Sequence, residues 1–319
     1  MSDFQRQLTS VDMEIRVPKR ALLIVNKKSR SGESPLQAMI ERLQAAGVNL
    51  LEAPLNHAND IPALIRRHAH EVDCAIVGGG DGSMSAAAPA LMETGLPLGI
   101  LPMGTANDLA RTLQIPLDLG EAGEVINKGI VHRIDVGCVN GHHFFNVANI
   151  GLGVTVKRLL TPELKQRWGV LSYAYCLIRA IREFQPFHAD IEYDDQRLRV
   201  RSLQIAVGNG RHYGGGMTVA DDASLEDARF HLYSIRPLNW WNLARIGPSL
   251  RSGEFNPGDP VDIASGFRIT IRTRKPMPIT ADGESVTMTP AEFTLLPGAV
   301  KIIVPAHYLE RKQELEHAA

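Results

Sequence analysis

The sequence predicts a two-domain protein: an α/β domain with a doubly wound, mostly parallel sheet, followed by an antiparallel β-sandwich domain. Short apolar runs alternate with helical patterns over about the first 130 residues, which is typical of a parallel sheet covered on both faces. Beyond that point, short strands follow one another across tight turns, which favours a sandwich. We therefore expect residues 1–133 to form the first domain and residues 134–304 the second, with the final segment 305–319 able to pack back on the first.

The first domain contains four predicted strands, three of which end in a loop that carries glycine. Apolar runs place these strands at residues 21–25, 48–51, 74–77 and 98–101. Helices are expected at residues 35–46, after Asp60, and at residues 84–93, where Pro89 should distort the helix because proline lacks a backbone donor. Since the carboxyl ends of parallel strands lie along one edge of a sheet, the loops that follow them should meet there.

The second domain is predicted from short β segments, two of which form a hairpin closed by Asn140-Gly141. The expected strands are residues 131–139, 143–148, 189–193, 199–207, 230–235, 267–273, 277–281, 292–295 and 300–304. Residues 163–184 show the apolar stripe of a long helix, which should pack on the sandwich. A further helical stretch contains Trp240-Trp241, for which packing in a core is favoured over contact with a bilayer.

Composition and charge restrict the kinds of partner and compartment. The 319 residues carry a net charge of −1, so nothing in the overall charge predicts a nucleic acid partner. Cys74, Cys138 and Cys176 lie far apart in apolar surroundings and are expected to be free thiols in a reducing compartment. The charged N-terminus does not resemble a signal peptide, and no apolar run reaches the ~18 residues of a membrane span. We expect a cytoplasmic protein that can act peripherally at the inner membrane surface.

The glycine-rich segment from Gly78 to Ser83 is predicted to be a strand-to-helix turn that could hold a phosphate. It matches neither the P-loop, which needs Lys-Ser/Thr after its last glycine, nor the dinucleotide fingerprint, which needs a third glycine where Ser83 stands. The carboxylate of Asp81 would repel a phosphate unless a cation lay between them, which favours a metal-bound nucleoside triphosphate. An ordinary tight turn with Asp81 as a helix cap is the alternative.

Two further loops at the same predicted sheet edge carry groups that suit phosphate. The first is the basic loop from Asn26 to Arg30, which contributes Lys27, Lys28 and the Ser29 hydroxyl. The second begins at Pro102 and contains Thr105. A solvated basic turn would also explain the first loop, but three such loops along one edge indicate a phosphate site more strongly than any one of them.

Four short motifs, taken together, point to a family. They are Gly79 to Gly82; Pro102 to Thr105 with Asn107-Asp108 and Arg111; Gly208 to Gly210 followed by Gly214 to Gly216; and Asp282-Gly283-Glu284. In this order, over nearly the whole chain, they resemble the diacylglycerol kinase catalytic-domain family, in particular the bacterial soluble lipid kinases related to sphingosine kinases. The resemblance implies ATP-dependent phosphoryl transfer to a lipid hydroxyl, with the active site in the cleft between the two domains.

The same resemblance assigns candidate roles to individual residues. The positions that match the family's nucleotide-contacting loops are Asn26, Lys27, Lys28, Ser29, Arg30, Gly80, Asp81, Gly82, Ser83, Met84, Ser85 and Thr105. Asp282 and Glu284 match the acidic pair of the family, with Glu284 at the proton-acceptor position, and Asp81 would act through Mg²⁺. A structural Mg²⁺ is implied at Ser224, Asp227 and Arg229, of which the first and last would coordinate through backbone carbonyls.

Departures from the family pattern leave alternatives open. Ser85-Ala86 stands where the family usually has Asn-Glu, and Asp227-Ala228 stands for its Asp-Gly. A nucleotide-binding regulatory protein that has lost catalysis and an NAD kinase are therefore retained as alternatives, and Asp282-Gly283-Glu284 could be a plain hairpin turn. The acceptor is also open among diacylglycerol, phosphatidylglycerol and sphingoid lipids presented at a membrane surface. The oligomeric state is open too, with a homodimer as one option.

Overall fold

The computed structural model describes residues 18–25, 33–55, 57–159, 176, 179, 184–209, 212–213, 217–218, 225–237 and 258–310. The predicted fold class is confirmed, since a parallel sheet in the first half of the chain is followed by an antiparallel sandwich. Several predicted features lie outside the described residues: the loop from Asn26 to Arg30, almost all of the helix at residues 163–184, Trp240-Trp241 and the last nine residues.

The first half of the chain forms parallel strands connected by helices, as the alternating pattern predicts. Its elements are β1 (Arg20–Val25), α1 (Glu33–Ala45), β2 (Asn49–Pro54), a 3₁₀ turn (Ala58–Asp60), α2 (Ile61–His68), β3 (Cys74–Gly79), α3 (Asp81–Thr94), β4 (Leu98–Pro102), α4 (Asp108–Thr112) and α5 (Leu119–Lys128). The strands pair in the order β2-β1-β3-β4. β1, β3 and β4 are buried along almost their whole length because helices cover the sheet.

The second half forms two packed sheets. Its elements are β5 (Ile130–Val139), β6 (His142–Phe144), β7 (Val147–Gly151), α6 (Leu152–Leu159), β8 (Phe187–Tyr193), β9 (Gln196–Ser202), β10 (Gln204–Gly208), β11 (His212–Tyr213), β12 (Met217–Thr218), β13 (Phe230–Ile235), β14 (Val261–Gly266), β15 (Arg268–Thr273), β16 (Pro278–Ala281), β17 (Glu284–Met288) and β18 (Ala291–Val304). The six-stranded sheet β14-β13-β10-β7-β16-β17 is antiparallel throughout. It packs on β8, β15 and β18 around the contacting rings of Phe144, Phe230 and Phe293.

The strand β18 joins the two halves of the molecule. Its first part pairs with β15 of the sandwich, and Ile302 in its last part pairs in parallel with Leu98 of β4. β5 runs antiparallel beside β18 along both parts. A ten-stranded sheet therefore continues from one domain into the other, and Tyr308 and Leu309, just beyond β18, are buried in the core of the first domain. The boundary near residue 133 falls inside β5 and stays a prediction.

The structure corrects several predicted strand limits. The run 199–207 is two strands, β9 and β10, which separate at Leu203 and belong to different sheets, and the run 143–148 divides in the same way between β6 and β7. Conversely, the runs 292–295 and 300–304 are both parts of β18. A run of apolar residues looks the same whether or not the chain changes sheets within it, so the sequence pattern could not locate these corners.

Pro89 lies inside α3 and does not end it. The helix continues from Asp81 to Thr94, with Gly95 as its left-handed C-cap. Ala87, Ala88 and Ala90 beside the proline are completely buried. Packing of this small-residue face on the first domain therefore outweighs the lost hydrogen bond.

Candidate active site between the two domains

The turn after β3 approaches the loop after β4 very closely, and glycine makes this possible. Gly80 is the N-cap of α3, and a Cβ added at Gly104 would overlap the Cα of Gly80. The Met103 amide also donates a 3.0 Å hydrogen bond to the Gly79 carbonyl. Two of the three predicted phosphate-compatible loops are thus adjacent at the carboxyl edge of the parallel sheet, as the topology predicts.

Asn107 holds the second of these loops in shape. Its backbone is left-handed, with φ of 51°, and its side chain is buried. Oδ1 accepts a 2.9 Å bond from the Gly104 amide, while Nδ2 donates a 3.2 Å bond to the Gly104 carbonyl. This closed ring of bonds fixes the loop and leaves Thr105 exposed to solvent, where it is available to a ligand.

Asp81 belongs to the turn from Gly78 to Ser83, which we call the phosphate turn after its predicted ligand. Its side chain bonds to neighbouring elements and does not cap its own helix. Its Oδ1 accepts a 2.9 Å bond from the Leu109 amide in α4 and a 3.3 Å bond from Nδ2 of Asn146. No hydrogen bond joins its Oδ2 to another residue that the structure describes. The carboxylate is therefore held in place through one oxygen while the other remains available.

Asp282 receives four hydrogen bonds and links the two domains. Oδ2 accepts bonds from the Ser85 hydroxyl (2.6 Å) and the Phe145 amide (2.7 Å), and Oδ1 accepts from the amides of Asn146 (3.0 Å) and Val147 (3.1 Å). Ser85 lies on α3 in the first domain, whereas Asp282 lies in the turn between β16 and β17 of the second domain. The bond between them therefore connects the two domains. Burial, together with the charge of Asp81, raises the pKa of Asp282 to about 6, against the lowering effect of its donors.

Glu284 lies over the phosphate turn. Asp282 and Gly283 both have positive φ, 44° and 80°, so the segment is a tight turn between β16 and β17. The residue is exposed, yet a Cβ added at Gly82 would come within 3.2 Å of Glu284 Cγ. The segment is thus a hairpin turn, and it also brings a carboxylate from the second domain against the glycine turn of the first.

The predicted nucleotide-contacting residues at the start of α3 differ in their burial and in their hydrogen bonds. Gly82 and Ser83 are half-buried at the start of the helix, where the Ser83 amide donates a 2.9 Å hydrogen bond to the Gly80 carbonyl. The Met84 side chain is buried in the core, so that any contact from this residue would come from its backbone. Ser85, which stands where the family usually has asparagine, uses its hydroxyl to bind Asp282.

Asn146 belongs to this site and was not among the predicted residues. Its side chain is 2% exposed, its Nδ2 donates to Asp81, and its backbone amide donates to Asp282. Oδ1 of this side chain is buried without a hydrogen-bond partner. The signal in the sequence was a lone asparagine between the apolar residues Phe145 and Val147, which is unusual for a buried segment.

The turn around Asp227, where a structural metal is predicted, already holds that carboxylate through hydrogen bonds. Oδ1 of Asp227 accepts a 2.9 Å bond from the Arg229 amide, and Oδ2 lies 2.7 Å from Nε2 of His231. Ala228 has φ of 55°, and its amide donates to Asp135. Within the described part of the chain, no three His, Cys, Asp or Glu side chains converge on a possible metal position. A hard cation at Asp227 would share this carboxylate with the Arg229 amide and His231, and Ser224 lies outside the described residues, so the metal site stays a prediction.

The sequence matches two known domains that together cover most of the chain. Residues 20–139 match the diacylglycerol kinase catalytic domain, and residues 146–304 match the YegS C-terminal NAD kinase beta sandwich-like domain. The division between these matches falls at the β6–β7 corner. No helix in the described part of the chain is both long and apolar enough to span a bilayer.

Similar proteins carry kinase names. A diacylglycerol kinase of Bacillus subtilis is 27% identical over 299 residues, covering 92% of this chain and 99% of the relative. A probable lipid kinase YegS-like protein of Klebsiella pneumoniae is 30% identical over 291 residues, covering 89% of this chain and 96% of the relative. A crystal structure from Bacillus anthracis, described as a candidate diacylglycerol kinase, superposes with a TM-score of 0.79 at 28% identity, covering 92% of this chain and 99% of that one. The chain therefore belongs to the diacylglycerol kinase catalytic-domain family.

Proposed function

We propose that this protein is an ATP-dependent lipid kinase that transfers the γ-phosphate of ATP to a lipid hydroxyl. The observation that carries the proposal is the close packing of the Glu284 side chain against Gly82. It brings a carboxylate from the second domain onto the phosphate turn of the first. The Ser85–Asp282 hydrogen bond, two residues before Glu284, holds the β16–β17 turn against α3. The kinase names of the similar proteins support the same activity.

The nucleotide would bind along the carboxyl edge of the parallel sheet. Gly80, Gly82 and Ser83 stand at the amino end of α3, where backbone N–H groups and the helix dipole favour phosphate. Thr105 would contact the nucleotide from the adjacent loop, and the segment from Asn26 to Arg30 would contribute cations. Asp81, with one oxygen available, would hold Mg²⁺, which neutralises phosphate charge when bound.

We assign the role of proton acceptor to Glu284 and a positioning role to Asp282. Each oxygen of Asp282 already accepts two hydrogen bonds, so this carboxylate has little capacity left for a substrate proton. In the proposed step, the lipid oxygen forms a bond to the γ-phosphorus, the bond from that phosphorus to the β–γ bridging oxygen breaks, and ADP leaves. The hydroxyl proton passes to the Glu284 carboxylate.

The acceptor would be presented at a membrane surface, because the long hydrocarbon chains of such lipids keep them in a bilayer. We propose that the protein acts there from the cytoplasmic side. A structural Mg²⁺ at Ser224, Asp227 and Arg229 is a separate part of the proposal, and the cation would bind the Asp227 carboxylate beside His231. The homodimer also stays a proposal.

The decisive experiment gives the purified protein γ-labelled ATP, Mg²⁺ and one acceptor at a time. Mixed micelles would contain diacylglycerol, phosphatidylglycerol or sphingosine, and a separate reaction would contain NAD. We expect label in a lipid product and none in NADP. Label in NADP alone would indicate an NAD kinase. Nucleotide binding without turnover of any acceptor would indicate a regulatory protein, and either result would overturn the proposal.

A further inference from the structure

We infer that Asn146 is a second protein contact, beside Asp81, for the divalent cation that accompanies ATP. The inference rests on the proposed function only in assuming that the site takes a metal-bound nucleotide. It concerns a side chain that neither the motifs nor the family resemblance selected, and that comes from the second domain to a site built mainly by the first.

The starting observation is a buried acceptor atom without a partner. Asn146 is 2% exposed, and its Oδ1 has no hydrogen bond to any residue that the structure describes. Buried polar atoms in folded proteins are nearly always paired, so an unpaired one calls for a specific explanation, such as a water or an ion that belongs there. The two donor groups of this residue are hydrogen-bonded: Nδ2 donates to Asp81, and the backbone amide donates to Asp282.

The position of the side chain indicates what the missing partner is. Asn146 lies between the carboxylates of Asp81 and Asp282, which come from different domains and repel each other. Because Oδ1 shares its amide carbon with the Nδ2 that contacts Asp81, a cation on Oδ1, or a water bound to one, would also be attracted by the Asp81 carboxylate. The oxygens of Asp282 are occupied, whereas Oδ2 of Asp81 has no hydrogen bond to the described residues. Of the oxygens on Asp81, Asn146 and Asp282, those without a hydrogen bond to the described residues are therefore Oδ2 of Asp81 and Oδ1 of Asn146.

This pair of oxygens suits Mg²⁺ together with a nucleotide. Mg²⁺ in phosphoryl-transfer sites is usually bound by one or two protein oxygens, and phosphates and water supply the remainder. An asparagine adds an oxygen without adding a third negative charge, and a third charge next to Asp81 and Asp282 would repel the triphosphate. Asn146 thus contributes to cation binding at little electrostatic cost to ATP.

The test measures cation binding directly and needs no lipid. Mn²⁺, which has an EPR signal when free, would be titrated into the full-length protein saturated with a non-hydrolysable ATP analogue. We expect Asn146→Ala to weaken Mn²⁺ binding by about tenfold or more. Without nucleotide, Asn146→Asp should bind Mn²⁺ more tightly than the wild type, because it retains an oxygen and adds a charge. With EDTA present, the affinity of Asn146→Ala for the analogue alone should be unchanged.

Asn209→Ala is the matched control. Asn209 is also buried, at 1% exposure, and its Oδ1 also lacks a partner, but its Nδ2 donates to the backbone carbonyls of Asp135 and Phe145. We expect this variant to lower the melting temperature and to leave Mn²⁺ affinity within about twofold of the wild type.

Two results would overturn the inference. The first is unchanged Mn²⁺ affinity in Asn146→Ala. The second is weaker Mn²⁺ binding, measured without nucleotide, in both Asn146→Ala and Asn146→Asp, because a residue that only orients Asp81 through Nδ2 would lose that bond in both variants. A wild type that binds Mn²⁺ and the analogue but phosphorylates no lipid would refute the lipid kinase proposal and leave this inference standing.

Discussion

Two turns of this protein present an aspartate to a predicted cation, and they differ in what those aspartates already bind. In the turn after β3, Asp81 is held through Oδ1 while Oδ2 has no hydrogen bond within the described chain. In the turn before β13, both oxygens of Asp227 are engaged, by the Arg229 amide and by His231. We expect this difference in hydrogen bonding to separate a turn whose aspartate binds the cation of the nucleotide from one whose aspartate mainly stabilises the fold.

Asp81→Asn should produce the largest loss of activity. Asparagine keeps an oxygen for the Leu109 amide, so we expect the free energy of unfolding to change by less than about 1 kcal/mol. Kinase turnover should fall by roughly 10³-fold or more, because the charge that holds the cation is lost. Turnover with saturating ATP and the melting temperature of the same preparation would be measured together. An active Asp81→Asn enzyme would mean that Asp81, like Asp227, stabilises the fold and does not bind the cation of the nucleotide.

Glu284→Gln should lower kcat by about 10² to 10⁴, the usual contribution of a general base. The amide keeps the shape of the side chain but cannot take the hydroxyl proton, so ATP affinity and thermal stability should change little. Glu292→Gln is the control, since Glu292 is an exposed glutamate on β18. Full turnover by Glu284→Gln, with Asp282→Asn inactive, would transfer the role of base to Asp282.

Asp227→Ala should act mainly on stability. Loss of the bonds to His231 and the Arg229 amide is expected to lower the melting temperature by roughly 3–8 °C. EDTA added to the wild type then separates the two accounts of this turn. If EDTA lowers the melting temperature of the wild type but not of Asp227→Ala, a cation occupies the turn. If EDTA changes the melting temperature of neither protein, no cation occupies the turn, and the hydrogen bonds of Asp227 are sufficient to hold the carboxylate.

Ser85→Ala should have the smallest effect. It removes one hydrogen bond to a carboxylate that keeps three backbone donors, a change of about 1 kcal/mol, which corresponds to roughly a fivefold loss of turnover. Ser265→Ala on β14 is the matched control. If Ser85→Ala has the turnover of the wild type, the interdomain bond does not position Glu284, and the departure from the family's asparagine has no catalytic consequence.

Local sequence patterns were sufficient for part of this account. The glycines from Gly78 to Gly82 and the strand before them predicted the strand-to-helix turn, because backbone freedom and apolar burial are properties of short segments. The place of Asp282 and Glu284 in the site came from the family resemblance, since spacing alone could not tell a functional turn from an ordinary one.

The remaining features depend on contacts between residues far apart in sequence. Ser85 and Asp282 are 197 positions apart, and Asn146 and Asp81 are 65 positions apart. Nothing in the residues around either partner predicts such a bond. The merging of two predicted strands into β18 has the same cause, because its length is set by partners in two domains.

The continuity of β18 means that neither half of the protein is an independent folding unit. A fragment ending at residue 139 would lack the strand that covers the edge of β4 and the whole length of β5. That edge is apolar, and an uncovered apolar edge invites pairing with other chains and aggregation. A ribosome must therefore deliver residue 304 before the first domain can complete its sheet. Until then the edge of β4 lacks its partner strand, and the amino-terminal half has to be kept from pairing with other chains.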